Sequence, residues 1–489
     1  MNYFENFLNM GHSLKLYKIF LMGFFYFITF MMYSQSGFQL EVESTAFVNG
    51  DDALPFWLQS NNYGRVGRQT NAYAVLAPSY DLYLNENSKF TFKSAFAYRD
   101  KFNEVGKAKD IFIDELYAQF ASEYIIATIG VKHDELKYNG LASSNQSLLW
   151  SNNARSLPGI EIKTAKPVYF LFGGQLGFEA LFSEYFLNDN RSTKDAHLHH
   201  KYLALVYKLS TISTLKLGMR HVAQYGGEPS DPNIDDQSIG FSEYIRVFFG
   251  RSGSDNSLPT DRENAIGNHI GSYEFSYNRK LRGEGEFEFF YNSIFEDGSG
   301  SAMKNFPDGR YGAFYDTGKS DKIINSFVYE FIYTKNQSQT APHLWDNYFN
   351  NIIYTSGWTY QQNVIGVPFI TSTYLSDYGG NYITVGNNRL IAHHLGIQGK
   401  LYFPYEFKLS YRRNYGFNRN TGYSRYEHYE SNDERSLFKV QPEVVSTYFK
   451  VSLLRSFIDL DVIGAADFNK DSSSFGAALR IFYSIDNNN

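Results

Sequence analysis

The sequence predicts an all-β fold, a transmembrane β-barrel of about 16–18 antiparallel strands. Three observations support this prediction. The N-terminus resembles an export signal, apolar and polar side chains alternate in many segments, and 44 Phe, 40 Tyr and 4 Trp make 18% of the 489 residues aromatic. The absence of cysteine excludes disulfides, thiolate metal sites and a lipid on an N-terminal Cys. With 45 basic and 51 acidic residues, the net charge of -6 offers no surface for nucleic acid.

The first 36 residues have the charged, apolar and small-residue order of a secretory signal peptide. Lys15 and Lys18 precede the apolar run 19–33, and Ser34, Gln35 and Ser36 follow it. We expect cleavage near 35–37. The alternative is an N-terminal membrane anchor, although a run of about 15 apolar residues is short for a span of ~20. No later segment has the ~18 uncharged apolar residues that a helical span requires.

Alternation marks the strands, because lipid-facing and lumen-facing side chains of a barrel strand follow one another. Five segments place apolar residues on one face: Phe90, Phe92, Phe96 and Tyr98; Phe287, Phe289 and Tyr291; Phe327, Tyr329, Phe331 and Tyr333; Phe407, Leu409 and Tyr411; Phe475, Ala477, Leu479, Ile481 and Tyr483. The opposite face of the second segment carries the carboxylates of Glu284, Glu286 and Glu288, which must face water. A soluble sandwich would also alternate, but the aromatic content favours the girdles of a barrel.

We expect three regions along the chain. Residues 1–36 form the signal peptide, 37–70 a periplasmic lead-in that can be partly helical, and 71–489 the barrel. Segments rich in Gly, Pro, Asn and Asp, such as 226–237, 251–264 and 295–310, are predicted loops. The longer loops are expected outside the cell.

Signatures of catalysis are missing: the sequence has no G-x-S-x-G, H-E-x-x-H, phosphate loop or dinucleotide fingerprint. The pairs His133-Asp134 and Asp235-Asp236 offer the side chains that a hydrolase would use, but loop solvation explains both. The adjacent histidines at 199–200 and 393–394 are poor chelators, because neighbouring strand residues point to opposite faces. We therefore expect neither an enzyme nor a metal or cofactor site.

Sugar binding suits two segments better, since sugars stack on aromatic rings and hydrogen-bond to amide and guanidinium groups. These segments are 148–159 and 411–429, and the second interleaves arginines with aromatic residues. The alternative for the second is a membrane girdle whose arginines pair with lipopolysaccharide phosphates or with lumen glutamates. The candidate carbohydrate-binding residues are Trp150, Asn153, Arg155, Arg412, Arg413, Tyr415, Arg419 and Tyr423.

Five ordered motifs carry a resemblance to a known family. They are PFWLQSNNYG (55–64), LLWSNNARSLPG (148–159), DNYFNN (346–351), SGWTYQQNVIGVPF (356–369) and NNRLIAHHLGIQG (387–399). With them, the chain resembles the capsule assembly Wzi family in its Bacteroidetes type. The resemblance implies an outer-membrane barrel of about 18 strands with a small helical periplasmic piece. The alternative for the motif residues Trp150, Asn153, Arg155 and Pro158 is a role in folding the barrel. We likewise expect Trp358 and Pro368 to be packing residues, with Trp358 at the membrane interface.

The implied function is a lectin-like, non-enzymatic protein that attaches exported capsular or other surface polysaccharide to the cell surface. The implied partners are that polysaccharide, the lipid and lipopolysaccharide of the outer membrane, and a polysaccharide export apparatus. The alternative is an outer-membrane porin or channel for sugars or small solutes, which a lumen face bearing Glu284, Glu286 and Glu288 would suit.

Overall fold

A computed structural model describes residues 37–50, 53–102, 109–145, 147–237, 240–252, 265–296, 298–338, 346–377, 380–416 and 443–486. Within them, one antiparallel sheet forms a closed barrel. Its 19 segments occupy 18 strand positions, because two consecutive segments pair with the same neighbour and share one position. The predicted fold class and strand number are confirmed.

We number the strands β1 to β18 in chain order. They are Phe38–Asn49 (β1), Ala72–Asn85 (β2), Ser88–Arg99 (β3), Asp110–Ala121 (β4), Ile125–Val131 (β5), Pro158–Thr164 with Val168–Leu171 (β6), Leu176–Leu187 (β7), Ala196–Lys208 (β8), Ser213–Tyr225 (β9), Asn268–Lys280 (β10), Glu286–Asn292 (β11), Gly309–Asp316 (β12), Ser326–Tyr333 (β13), Leu390–Lys400 (β14), Pro404–Asn414 (β15), Glu443–Arg455 (β16), Ile458–Asn469 (β17) and Ser473–Asp486 (β18).

Strand β1 closes the barrel, because it pairs with β2 on one edge and with β18 on the other. Thr45, for example, lies opposite both Tyr73 and Arg480. We expected the barrel to begin at residue 71, after a lead-in over 37–70. The first strand instead falls inside that lead-in, where Leu40 and Val42 alternate with Glu41 and Glu43 as in the other strands.

The remaining elements are short. The helices are Phe56–Gln59 (α1), Phe241–Phe249 (α2) and Gly298–Ser301 (α3), with 3₁₀ turns at Tyr138–Gly140 and Phe172–Gly174. Three small ladders pair Thr193–Lys194 with Glu228–Pro229, Thr359–Tyr360 with Asn363–Val364, and Thr371–Asp377 with Gly380–Asn387. In the described part of the chain, no helix is both long and apolar enough to cross a membrane.

The two ends of the barrel differ. At the end where β1 begins and β18 ends, the strands are joined by connections of two to nine residues, such as 86–87 and 317–325. At the opposite end, the connections reach 26 residues between β5 and β6 and 56 residues between β13 and β14. We call these the short-turn end and the long-loop end.

The outer wall is apolar, as the alternation predicts. All the side chains of the five predicted apolar faces are exposed or half-exposed on the outside of the barrel. Their sequence neighbours turn inward; Val328, Glu330 and Ile332, for example, are fully buried between the outward-facing Phe327, Tyr329, Phe331 and Tyr333. The outer wall therefore has the apolar surface that a lipid bilayer covers.

The lumen is filled at the long-loop end. Parts of the connections 50–71, 132–157, 293–308 and 334–389 fold inward, and we call them together the plug. Trp57 of the plug donates from Nε1 to Ser410 Oγ of β15 (3.1 Å), and Ser143 N donates to Glu330 of β13 (2.5 Å). Its central side chains are buried against inward-facing wall residues such as Leu198, Val222, Ile270 and Ala392.

Candidate functional site

Trp150, a candidate sugar-binding residue, lies at the centre of the plug. Its Nε1 donates to Asp134 Oδ2 (2.7 Å), and its ring stacks on His200 of β8 with 4.7 Å between centroids. The rings of Tyr185 and Trp358 also lie against it. Because the indole is buried on all these sides, Trp150 holds the plug to the wall and presents no free ring face.

Trp358 is fully buried, and the prediction that it lies at the membrane interface is wrong. Its Nε1 donates to Leu149 O (2.8 Å), and its ring packs near Phe349. The reason is that 356–369 belongs to the inward-folded connection, which residue type alone does not distinguish from a membrane girdle.

Asn153 and Arg155 also make contacts within the molecule. Asn153 Nδ2 donates to Val364 O (3.0 Å), which joins two parts of the plug. The Arg155 guanidinium lies 3.4 Å from the centroid of the Phe112 ring of β4. Burial lowers the pKa of Arg155 to about 10. This arginine therefore anchors the plug to the wall through a cation–π contact.

A small polar cavity of about 40 Å³ lies beside Trp150. Its lining includes Tyr63, His133, Asp134, Arg155 and Glu161. Burial raises the pKa of Tyr63 to about 12, and burial together with the charge of Glu161 raises the pKa of Asp134. At about 15 Å³ per enclosed water, this volume suits two or three waters. It is too small for a sugar ring.

The residues considered for a hydrolase do not share a site. The His133 ring stacks on Tyr63 (3.9 Å between centroids), whereas Asp134 binds Trp150. Asp235 and Asp236 are exposed in the connection between β9 and β10. The two predicted pairs thus lie in different environments.

The paired histidines point to opposite faces of their strands, as predicted. His200 and His394 face the lumen, while His199 and His393 face outward. Their contacts are Arg220 Nη1 (2.7 Å from His200), Leu141 O (2.7 Å from His394), Glu184 Oε1 (2.6 Å from His199) and Tyr329 OH (2.8 Å from His393). Among the residues that the structure describes, no three His, Asp or Glu side chains form a group that could hold a metal ion.

Arg412 and Arg413 also point to opposite faces of β15. The Arg412 guanidinium lies inside, 4.0 Å from the centroid of the Phe56 ring of α1. Arg413 faces outward, half-exposed, with its Nε 3.6 Å from Glu443 Oε1. The structure therefore separates two residues that the sequence placed in one candidate site.

Arg413 instead belongs to a group at the long-loop end that we call the rim cluster: Lys335, Arg389, Arg413 and Tyr415. Lys335 Nζ lies 4.3 Å, and the Arg413 guanidinium 5.4 Å, from the centroid of the Tyr415 ring. Tyr415 N donates to Arg389 O (2.9 Å), and Arg389 Nη2 donates to Lys335 O (3.5 Å). Two cations thus lie against one half-exposed aromatic ring just beyond β13, β14 and β15, and Arg389 joins the group through hydrogen bonds with Tyr415 and Lys335.

Sequence reasoning missed Lys335 and Arg389. Lys335 follows a strand that alternation predicts, and Arg389 lies within the motif NNRLIAHHLGIQG. Recognising that β13 pairs with β14 across a 56-residue connection would have placed Lys335 and Arg389 next to each other. The predicted residues Arg419 and Tyr423 lie outside the described residues.

Four of the sequence motifs contribute to the plug, and the fifth packs against it mainly from strand β14 of the wall. Their buried members include Trp57, Trp150, Tyr348, Trp358 and Leu390, which pack in one cluster. A buried carboxylate adds a polar anchor, since Tyr348 OH donates to Asp308 Oδ2 (2.6 Å), and the backbone N–H groups of Asn336 and Gln337 also donate to Asp308. Burial raises the pKa of Asp308 to about 6. The motifs therefore describe how the loops fill the barrel.

Comparisons with known proteins agree with this architecture. The model of the family described as capsule assembly protein Wzi matches residues 57–372. Among solved structures, Wzi of Escherichia coli is 13% identical, with 91% of this chain and 83% of that chain covered and a TM-score of 0.53. OpdO of Pseudomonas aeruginosa is 11% identical (92% and 97% covered, TM-score 0.43), and OprD of the same organism 7% (92% and 93%, TM-score 0.42). No curated protein matches the sequence.

The likeness to the Escherichia coli structure shows the fold, and the family match spans most of the plug, three of the five motifs in full and residues 57–64 of the first motif. The chain is a closed 18-stranded outer-membrane β-barrel that belongs to the capsule assembly protein Wzi family.

Proposed function

We propose that this protein is a lectin-like, non-enzymatic barrel that binds an exported capsular or surface polysaccharide and attaches it to the cell surface. The observation that carries the proposal is the plug, which turns the long-loop end of the barrel into a packed platform. Family membership supports it. So does the Escherichia coli relative, which is described as a carbohydrate-binding β-barrel involved in group 1 capsule assembly.

The platform faces outward in this proposal. Outer-membrane barrels carry short turns on the periplasmic side and longer loops outside. The long-loop end, with the plug and the rim cluster, is therefore the end that meets a polymer on the cell surface.

The rim cluster is the proposed point of contact. A sugar ring can stack on the half-exposed Tyr415, while Arg413, Arg389 and Lys335 supply cations for a carboxylate or phosphate of an acidic glycan. Arg419 and Tyr423, in the connection that Tyr415 opens, are proposed to extend this site. Trp150, Asn153, Arg155 and Arg412 are proposed to act indirectly, by holding the platform in place.

Lipopolysaccharide and a polysaccharide export apparatus are further proposed partners. Arg413 faces outward at the long-loop end, which would let its guanidinium meet lipopolysaccharide phosphates. The chemistry proposed here is binding alone and needs no cofactor.

The proposal is tested by surface glycan retention in a deletion strain that carries a plasmid copy of wild-type or variant protein. We expect the deletion strain to make the polymer but release it to the medium. Wild-type protein should restore retention, and Arg413→Ala with Tyr415→Ala should not, although the variant barrel reaches the membrane. Unchanged retention on deletion would overturn the proposal.

Conductance separates this function from a channel. A closed platform predicts no large steady current when the purified protein is inserted in a planar bilayer. Large steady currents, together with reduced solute uptake in the deletion strain, would favour the channel and leave the family likeness as a statement about fold.

A further inference from the structure

Helix α2, residues Phe241–Phe249, lies on the outside of the barrel, where lipid would otherwise touch the wall. Phe248 packs against His199 of β8 (5.0 Å between ring centroids) and near Phe182 of β7 (6.4 Å). Val247 is fully buried with Ala223 and Tyr225 of β9. These wall residues alternate with lumen-facing neighbours, so α2 covers the outer surface.

The wall beneath α2 is polar. Glu184 accepts hydrogen bonds from Tyr225 OH (2.9 Å) and Tyr244 OH (2.5 Å) and lies 2.6 Å from His199 Nδ1. His221 and His269 approach each other at 2.8 Å. Polar groups that face hydrocarbon without partners cost free energy, so a lipid-exposed wall needs such a patch covered.

The uncovered side of α2 carries an apolar stripe beside the exposed Ser242. Phe241, Ile245 and Phe249 are 81%, 38% and 60% exposed and follow one another at intervals of four residues. At the helical repeat this spacing places them in one stripe on one face. A helix that covers polar wall residues and exposes an apolar stripe has the arrangement that lipid favours and water does not.

The stripe is continuous with the lipid-facing surface of the barrel. Below α2 on the same outer face, Leu203 and Leu205 of β8 and Leu217 and Met219 of β9 are exposed. A strand advances ~2.6 Å along the barrel axis per residue at a tilt near 40°, so an apolar band of about 25 Å takes about ten residues. Counted from Ser213 at the short-turn end of β9, ten residues lead to Ala223. Ala223 packs in one buried cluster with Val247 of α2, so the upper edge of the apolar band lies at the height of the helix.

Cations stand at the edge of the stripe. Lys201 Nζ lies 5.8 Å, and the Arg251 guanidinium 5.3 Å, from the centroid of the Phe249 ring. Cations beside an apolar helix face are the composition of helices that lie in a membrane interface.

We propose that α2 is an interfacial helix that seats the barrel in the outer leaflet, with Phe241, Ile245 and Phe249 among acyl chains and the neighbouring cations at the headgroups. The occupant of this surface is the lipid leaflet. This inference is independent of polysaccharide binding, because none of its residues belongs to the plug or the rim cluster.

The absence of cysteine in the chain makes a direct test clean. Phe241→Cys and Phe249→Cys variants of the full protein carry a nitroxide label and are reconstituted in vesicles of phosphatidylethanolamine and phosphatidylglycerol. Leu205→Cys is the control for a lipid-facing site and Asp235→Cys for a water-facing loop. Because both test residues are exposed, the variants should fold, which heat-modifiable gel mobility checks.

We expect the labels at 241 and 249 to be relaxed by oxygen and shielded from a water-soluble nickel complex, as at 205. Accessibility to nickel equal to that at 235 would overturn the proposal. Dipolar broadening between labels at 241 or 249, with neither reagent reaching them, would also overturn it, since that outcome makes the stripe an interface between two copies of the chain.

Discussion

The lumen of this barrel has two halves with opposite chemistry. Toward the long-loop end it holds the packed plug, whose central residues, such as Trp358 and Tyr348, are fully buried. Toward the short-turn end it carries charge pairs in partly exposed surroundings. There Lys93 contacts Glu41 and Glu115, Glu406 contacts Lys408 and Lys450, and Arg480 contacts Glu43 and Asp461.

This contrast indicates that the plug half contributes most of the stability of the lumen packing and closes the lumen. Burial of each large aromatic side chain contributes several kcal/mol, on the order of 25 cal/mol for each of ~200 Å². Ion pairs that water reaches contribute about 0–1 kcal/mol each. The plug half therefore determines whether the barrel is sealed, and the charged half keeps the remaining lumen wet.

The largest effect is expected from Trp358→Ala. Removing a fully buried indole costs about 3–5 kcal/mol, and the hydrogen bond to Leu149 O is lost as well. Urea unfolding of the protein in vesicles should show this loss of stability, and bilayer recordings should show intermittent current through a loosened plug. The matched control is Trp358→Phe, which keeps most of the volume and should keep the seal. Equal stability of wild type and Trp358→Ala would contradict the assigned role of the plug.

Arg310→Met should have the second largest effect on stability. Arg310 Nε lies 2.5 Å from Glu330 Oε1, and both side chains are fully buried. Glu330 also accepts from Ser143 N of the plug. A buried charge left without its partner destabilises by about 3–5 kcal/mol. Urea unfolding of this variant and of the double variant Arg310→Met with Glu330→Gln separates the two effects, because the double variant should regain part of the loss.

The third prediction separates the platform from the ligand contact. Arg413→Ala should weaken binding of an acidic surface glycan by about 1.5–3 kcal/mol if its guanidinium makes charge-assisted hydrogen bonds. Arg412→Ala, whose side chain lies inside on Phe56, should lower stability and leave affinity near wild type. Isothermal titration with the purified polymer measures both. Equal losses of affinity in the two variants would place the contact elsewhere.

How much of this the sequence predicts depends on the range of the interactions. Strand faces follow from a period of two, so the outward side of Tyr329 and the opposite orientations of His199 and His200 were predictable. The inward folding of the connections was not predictable, because residue type alone does not distinguish a tryptophan inside the plug, such as Trp358, from one in a membrane girdle. The rim cluster was equally hidden, since Lys335 and Arg413 meet only after β13 pairs with β14. Strand β1 was also missed and assigned to the lead-in, because its partner β18 lies at the far end of the chain.

The fourth prediction concerns pH and the polar anchor of the plug. The pKa of Asp308 is about 6 in the folded protein and 3.8 as its ordinary value. The folded state therefore binds the proton more tightly, and the contribution of Asp308 to stability falls as pH rises from about 4 through 6. Between pH 5 and pH 7 the loss amounts to about 1 kcal/mol. The stability difference between wild type and Asp308→Asn, measured at both pH values, should favour wild type more at pH 5; a difference independent of pH would contradict the assignment.

The smallest effect is expected from Lys93→Met, which repeats the change made at Arg310 in the other half of the lumen. Lys93 Nζ lies 3.0 Å from both Glu41 Oε2 and Glu115 Oε2, so contact geometry alone would suggest a large loss. Glu41 is half-exposed, however, so water can solvate it once the ammonium is gone, and the buried Glu115 still accepts a hydrogen bond from His133 N (2.9 Å). We therefore expect a loss below about 1 kcal/mol and no change in bilayer current. A loss of stability as large as that of Arg310→Met would mean that the half of the lumen at the short-turn end also excludes water. The two halves would then be packed alike.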